Sequence, residues 1–154
     1  MPILLFSLVA FLTASIGGYL TKLDDWYYSL SQPSWKPPDL AFGPVWTIIF
    51  ILFAISTANA YKTAKSDINY KKKLLNISLL SCGLNVIWSY FYFFVQRPDL
   101  ALLEVIFLWS SILILIIHIN KYSKLSALLL LPYILWVSLA SALNYQTVML
   151  NGPF

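Results

Sequence analysis

Five apolar runs, near Pro2–Leu20, Phe42–Tyr61, Leu74–Val95, Leu100–Ile119 and Leu125–Leu150, take up most of this 154-residue chain. About 20 apolar residues cross the hydrocarbon of a bilayer as a helix, and a helix satisfies its own backbone polar groups where no water can. The runs therefore predict an all-α membrane protein: five transmembrane helices bundled in a single domain over residues 1–154. Composition agrees. The chain is 60% hydrophobic and 10% charged, against roughly 45–50% and about 25% in soluble domains. The first run reads as a retained helix, because no Lys or Arg precedes it and no small-x-small cleavage site follows it. The last is longer than one span needs, which predicts tilt or projection beyond the bilayer.

The lysines predict orientation. Lys62, Lys65, Lys71, Lys72 and Lys73 follow the second run, and Lys121 and Lys124 follow the fourth. With five spans these loops share a side with the N-terminus, and the positive-inside rule makes that side cytoplasmic. Contact with anionic lipid is a second use for such a cluster. The net charge of +4 lacks the broad basic face that nucleic acid needs. The single cysteine, Cys82, excludes an internal disulfide and a cysteine-built metal site.

Two of the connections, QRPD and NKYSK, are tight turns that force antiparallel neighbours. The first connection, about Thr21 to Ala41, is long and aromatic. Within it LDDWYYSL predicts a short helix capped by Asp24 or Asp25 and stopped before Pro33. Pro37 and Pro38 hold the chain extended from Lys36, and Asp39 is available to cap the next helix. Such a stiff piece loses little entropy on closing and suits a lid; it suits an interfacial aromatic belt equally well.

Polar residues at membrane depth need partners. Ser78, Ser81, Cys82, Asn85 and Ser89 form one stripe of the third run, and Ser138, Ser141, Asn144 and Tyr145 recur in the fifth. Ala10, Ala14 and Gly18 form a small-xxx-small series in the first, a pattern that lets helices pack closely. Glu104, the one carboxylate well inside a run, faces either the interface or the bundle interior. His118 reads as a snorkelling interfacial side chain. No catalytic triad, metal-ligand spacing or phosphate loop occurs, and no cofactor is expected. Six tryptophans remain, Trp26, Trp35, Trp46, Trp88, Trp109 and Trp136. Aromatic faces of this kind suit a large, flat, apolar ligand.

Three motifs carry a resemblance. They are Trp26-Tyr27-x-x-Leu30-x-x-Pro33-x-Trp35-x-Pro37-Pro38 with Phe42-x-Pro44-Val45-Trp46-Thr47, then Leu84-Asn85-x-x-Trp88-Ser89, then Pro132-Tyr133-x-x-Trp136-Val137-x-x-Ala140-x-x-Leu143-Asn144. In order and over nearly the whole chain, they resemble the tryptophan-rich sensory protein / translocator protein family (TspO/MBR, the peripheral-type benzodiazepine receptors). The resemblance implies a five-helix bundle whose first loop covers a pocket for porphyrins and other flat hydrophobic ligands. By position it implies a lining of Trp26, Tyr27, Trp46, Asn85, Phe91, Trp136 and Ala140, with Glu104 turned inward. Trp35, Lys36, Pro37 and Pro38 would form the lid, with Lys36 the loop cation nearest any ligand carboxylates. Animal members carry a cholesterol-recognition pattern ending in Lys or Arg; here nothing basic follows Tyr145, so sterol transport is not carried over. The implied function is sensing, sequestration or transport of porphyrin by a homodimer in the bilayer. Light- and oxygen-dependent porphyrin degradation through Trp46 and Trp136 is the enzymatic alternative, and a structural scaffold is the third.

Overall fold

The computed structural model describes residues 2–154. Its helices are α1 Pro2–Leu20, α2 Asp25–Ser29, α3 Asp39–Thr63, α4 Ile68–Ser89, α5 Pro98–Asn120, α6 Lys124–Leu129 and α7 Leu131–Asn151. Tyr90–Phe94 continues α4 as a π-helical turn. Five segments are long and apolar enough to cross a membrane: α1, α3, α4 with its π turn, α5, and α6 together with α7. The predicted five-helix membrane bundle is thus what this chain forms.

The helices close a ring. α1 packs on α3 and α4, α4 on α5, α5 on α7, and α6 fills the seam between α3 and α5. Each buried face is a stripe at helical spacing. On α5 it runs Ala101, Glu104, Val105, Leu108, Ser111, Ile112, Leu115 and Ile119. The outer faces stay apolar, with Leu4, Phe11, Ile48, Ile106, Ile117 and Leu135 exposed, as lipid contact requires.

Local chemistry sets the interruptions. The fifth run does not simply tilt. Pro132 has no N–H to donate and its ring crowds the preceding turn, so the helix breaks at Leu130, whose N–H turns back to the Ala127 carbonyl. At the end of the third span the Val95 N–H reaches the Tyr90 carbonyl at 2.9 Å, one residue beyond the α-helical partner. Gln96 then takes a left-handed conformation, φ 59, and the Arg97 N–H closes on the Phe91 carbonyl at 2.9 Å. This satisfies carbonyls a helix end leaves open. Asp99 takes Arg97 on both oxygens, at 2.8 and 2.6 Å.

The α3–α4 and α5–α6 turns, which carry the lysines, lie together at one end, joined by Tyr122 donating to Asp67 at 2.6 Å. His118 is not a free interfacial side chain. Its ring stacks on Tyr70 at 4.2 Å and its Nε2 lies 3.1 Å from the Tyr70 carbonyl oxygen. The small residues of α1 also divide. Ala10 packs in the core with Phe6, Thr13 and Gly17, whereas Ala14 and Gly18 are turned away from it.

Candidate functional site: a cavity beneath the first loop

At the end opposite the α3–α4 and α5–α6 turns the ring encloses a cavity of about 390 Å³, within the roughly 300–1,000 Å³ of small-molecule sites. α1 supplies its smooth side, Thr13, Ala14, Gly17 and Gly18. A Cβ on Gly18 or Gly43 would meet only open space. α3 supplies Phe42, Gly43, Trp46, Thr47 and Phe50; α4 and its π turn supply Asn85, Trp88, Ser89 and Phe93; α7 supplies Trp136 and Ala140. Aromatic contacts hold the wall between α3 and α7: Phe42 meets Trp136 edge-on at 5.3 Å, and Trp46 meets Tyr133 at 6.0 Å. Edge-to-face pairs of this kind fix ring orientation.

The polar groups of the lining are few. Asn85 donates through Nδ2 to the Tyr133 hydroxyl at 3.3 Å. Trp88 donates to Asn144 Oδ1 at 3.2 Å, and Asn144 in turn donates to the Pro98 carbonyl at 2.8 Å. Asn144 is 0% exposed, so it ties α4, α7 and the start of α5 together directly behind the cavity. The Trp136 indole N–H is buried and meets no acceptor.

The loop closes the cavity from above. α2 forms where the sequence predicts it, and of the two candidate caps it is the Asp24 carboxylate that accepts the Tyr27 N–H, at 3.1 Å. Asp39 does not cap α3. Pro38 stands at that position with no side-chain bond, and the Asp39 carboxylate instead accepts the Tyr27 hydroxyl at 2.8 Å and the Lys36 ammonium. The Lys36 ammonium also lies 5.7 Å from the Tyr27 ring and 5.8 Å from the Phe42 ring. Burial, then the bond and charge of Asp39, push the Tyr27 phenol well above its ordinary value, so it stays a neutral donor at the mouth. Two more contacts pin the loop. Asn151 grips Ser31, accepting its N–H at 2.7 Å and donating to its carbonyl at 3.0 Å. Gln96 donates to Asp24 at 3.4 Å.

Of the expected ligand-binding residues, the fold brings Tyr27, Trp46, Asn85, Trp136 and Ala140 to the cavity. Trp26, Phe91 and Glu104 do not line it. Trp26 packs edge-on against Tyr92 at 6.5 Å. Phe91 lies on the flank of the Tyr27–Tyr92–Ala101 cluster, because the π turn directs Phe93 to the cavity and Tyr92 to α7, where its hydroxyl donates to Thr147 at 3.2 Å. Glu104 is turned inward but buried on the α5 stripe, and no α5 residue lines the cavity. The expected lid residues form an outer strap: Trp35 is 50% exposed, and Pro37 and Pro38 do not line the cavity. Lys36 is occupied by Asp39 rather than free. The inner loop surface is Leu23 and Tyr27, with Thr21. The expected lining did not include Asp39, Phe42, Gly43, Thr47 and Phe50 of α3, Trp88, Ser89 and Phe93 of α4 and its π turn, or the α1 wall. Gly18 was the available signal, but a small residue reads alike as packing contact and as open space.

Sequence comparison identifies the relatives of this chain. The chain is 39% identical over 136 residues to "Tryptophan-rich protein TspO" of Chlorobaculum tepidum, covering 86% of this chain and 84% of that one. It is 34% identical over 138 residues to the protein of the same name from Archaeoglobus fulgidus, covering 88% of each. With the human "Translocator protein" identity is 26% over 120 residues, 78% of this chain and 71% of the other. The sequence pattern of the TspO/MBR family matches residues 5–150, and the chain belongs to that family.

Proposed function

We propose that this membrane protein binds a porphyrin or similar tetrapyrrole in the cavity beneath its first loop, and so senses, sequesters or transports it. The observation that carries this is the aromatic box of Phe42, Trp46, Trp88, Phe93 and Trp136. Flat rings stack on such faces, while Asn85 and Tyr27 offer polar contacts at two edges. Ligand carboxylates would meet the Tyr27–Lys36–Asp39 cluster, in which one positive charge is already balanced by one negative. The ligand is therefore read as held by its ring more than by its charge.

The test is a dark titration of the purified, detergent-solubilised protein with protoporphyrin, followed by tryptophan fluorescence and repeated with Trp136→Ala. Saturable quenching that weakens in the variant supports the reading; non-saturable quenching in both would move it to a structural scaffold. Because Trp46 and Trp136 both border the cavity, a second reading is light-dependent porphyrin degradation. Illuminated turnover that disappears in Trp46→Phe and Trp136→Phe would establish it. We further read the lysine-bearing end as cytoplasmic and the protein as a homodimer. Protease accessibility of the two ends and the mass of the solubilised particle test these.

A further inference from the structure

A second hollow lies on the lipid-facing side of the seam between α1 and α3. It is a groove of about 470 Å³, left unfilled because Ser7, Ala10, Ala14 and Ala54 are small. Ala10 and Ala54 are buried at its floor, while Phe11 and Ile51 are exposed along its sides. On α1 it runs from Ile3 to Ser15, about 18 Å of helix, and on α3 from Ile55 to Thr47. Both helices are long and apolar enough to cross a membrane. None of the lining residues is charged; the polar side chains are hydroxyls, and that of Thr47 donates to the Gly43 carbonyl at 2.9 Å. At its inner end Ala14, Thr47 and Phe50 are also walls of the cavity.

The outer end of the groove lies beside the α3–α4 turn. Phe6 meets Tyr61 edge-on at 6.1 Å, and the Lys71 ammonium lies 4.7 Å from the same Tyr61 ring. Lys62 continues the α3 line of Ile51 and Ile55, about two turns further on. It is exposed and makes no ion pair among the described residues. Asp67, the one carboxylate among the described residues of the α3–α4 and α5–α6 turns, is taken by Tyr122 at 2.6 Å. An uncharged groove at membrane depth thus ends in unbalanced positive charge.

We propose that the α1–α3 groove is a binding site for an anionic phospholipid, with one acyl chain along the groove and the phosphate at Lys62. The dimensions match. A chain of one leaflet extends through half the hydrocarbon core, about 15 Å, and the groove offers about 18 Å. The charge matches as well, since lysines at the membrane surface attract anionic headgroups. A second copy of the protein fits less well. Two copies inserted the same way would set their lysine-bearing ends side by side, like charge against like. The lipid site requires no ligand in the cavity and stands apart from the reading of that cavity.

The test uses the full chain reconstituted in phosphatidylcholine bilayers containing phosphatidylglycerol. A trace of phosphatidylglycerol carries a photoactivatable diazirine on one acyl chain, and labelled residues are mapped by mass spectrometry. A diazirine near the glycerol should label Ile3, Ser7 and Ile55; one near the chain end should label Phe11, Ser15 and Ile51. Leu4, Leu8 and Leu12, exposed on α1 but outside the groove, should take several-fold less. The same diazirine on phosphatidylcholine should label the groove several-fold less, and Lys62→Glu should erase that difference. Ser7→Phe, which fills the groove from a lipid-facing position, should cut groove labelling several-fold, whereas Leu8→Phe should not. Labelling spread evenly over the groove and the outward leucines overturns the proposal. So does equal labelling by the two lipids, or labelling unchanged in a folded Ser7→Phe. If Ser7→Phe does not fold, the wild-type pattern and the comparison of the two lipids still decide. Ser7→Cys chains that pair with each other through a disulfide and lose the label would put a second copy in the groove, which also overturns it.

Discussion

Removing the Asn151 side chain should open the loop without unfolding the bundle. Its amide makes two bonds to the backbone of Ser31, at 2.7 and 3.0 Å, and a third to Thr147 of its own helix. Hydrogen bonds contribute about 0.5–1.5 kcal/mol each, net of water. The Ser31 contacts are exposed, which puts the pair at the low end, about 1–2 kcal/mol. That is a factor of roughly 5–30 in the population of the open loop. No apolar core residue is disturbed, so the loss falls on local opening. The assay is amide hydrogen exchange in Asn151→Ala, with the porphyrin dissociation rate measured alongside. Exchange over residues 22–38 and the dissociation rate should each rise about 5–30-fold, while the spans keep wild-type protection. Asn151→Asp, which retains only the acceptor, should lie between. Unchanged exchange across the loop would show that the latch does not hold it. Equal deprotection of the spans would show that Asn151 acts on the whole fold.

Other substitutions probe other levels. Gly18→Leu should abolish ligand binding while thermal stability holds or rises, because its Cβ enters open cavity space and replacing a helical glycine gains up to about 1 kcal/mol. Binding retained in that variant would put the ligand elsewhere. Asn144→Ala should destabilise the bundle by about 1–2 kcal/mol, read by thermal unfolding in detergent, since it strands the Trp88 N–H and the Pro98 carbonyl. Asp67 should contribute to acid sensitivity. The Tyr122 hydroxyl, then the Tyr70 N–H, hold its carboxyl below the ordinary 3.8. Its contribution is therefore present above that value and lost as pH falls through the lower folded one. Asp67→Asn should flatten the fall in stability below about pH 4; an unchanged acid limb would show that the Asp67–Tyr122 contact adds nothing.

The sequence by itself determined the five spans, because an uninterrupted apolar run is a local, one-dimensional signal that only a membrane helix answers. It determined the short helix over LDDWYYSL for the same reason, a cap being a matter of four consecutive residues, though it left Asp24 and Asp25 both open as the cap. Its prolines also marked the first connection as a stiff, extended piece, but left lid and interfacial belt equally open. What it could not determine was facing. In a soluble helix the polar side marks the outside, but lipid is as apolar as the core, so Phe91 and Phe93, or Gly17 and Gly18, look alike on the page. Only the tertiary structure chose between them, through the π turn that directs Phe93 inward and the α1–α4 packing that buries Gly17 and leaves Gly18 open. It likewise gave Asp39 to Tyr27 and Lys36 rather than to the α3 terminus, and buried Glu104 on the α5 stripe instead of in the cavity. Those choices depend on which helices become neighbours, a long-range result that no single run encodes.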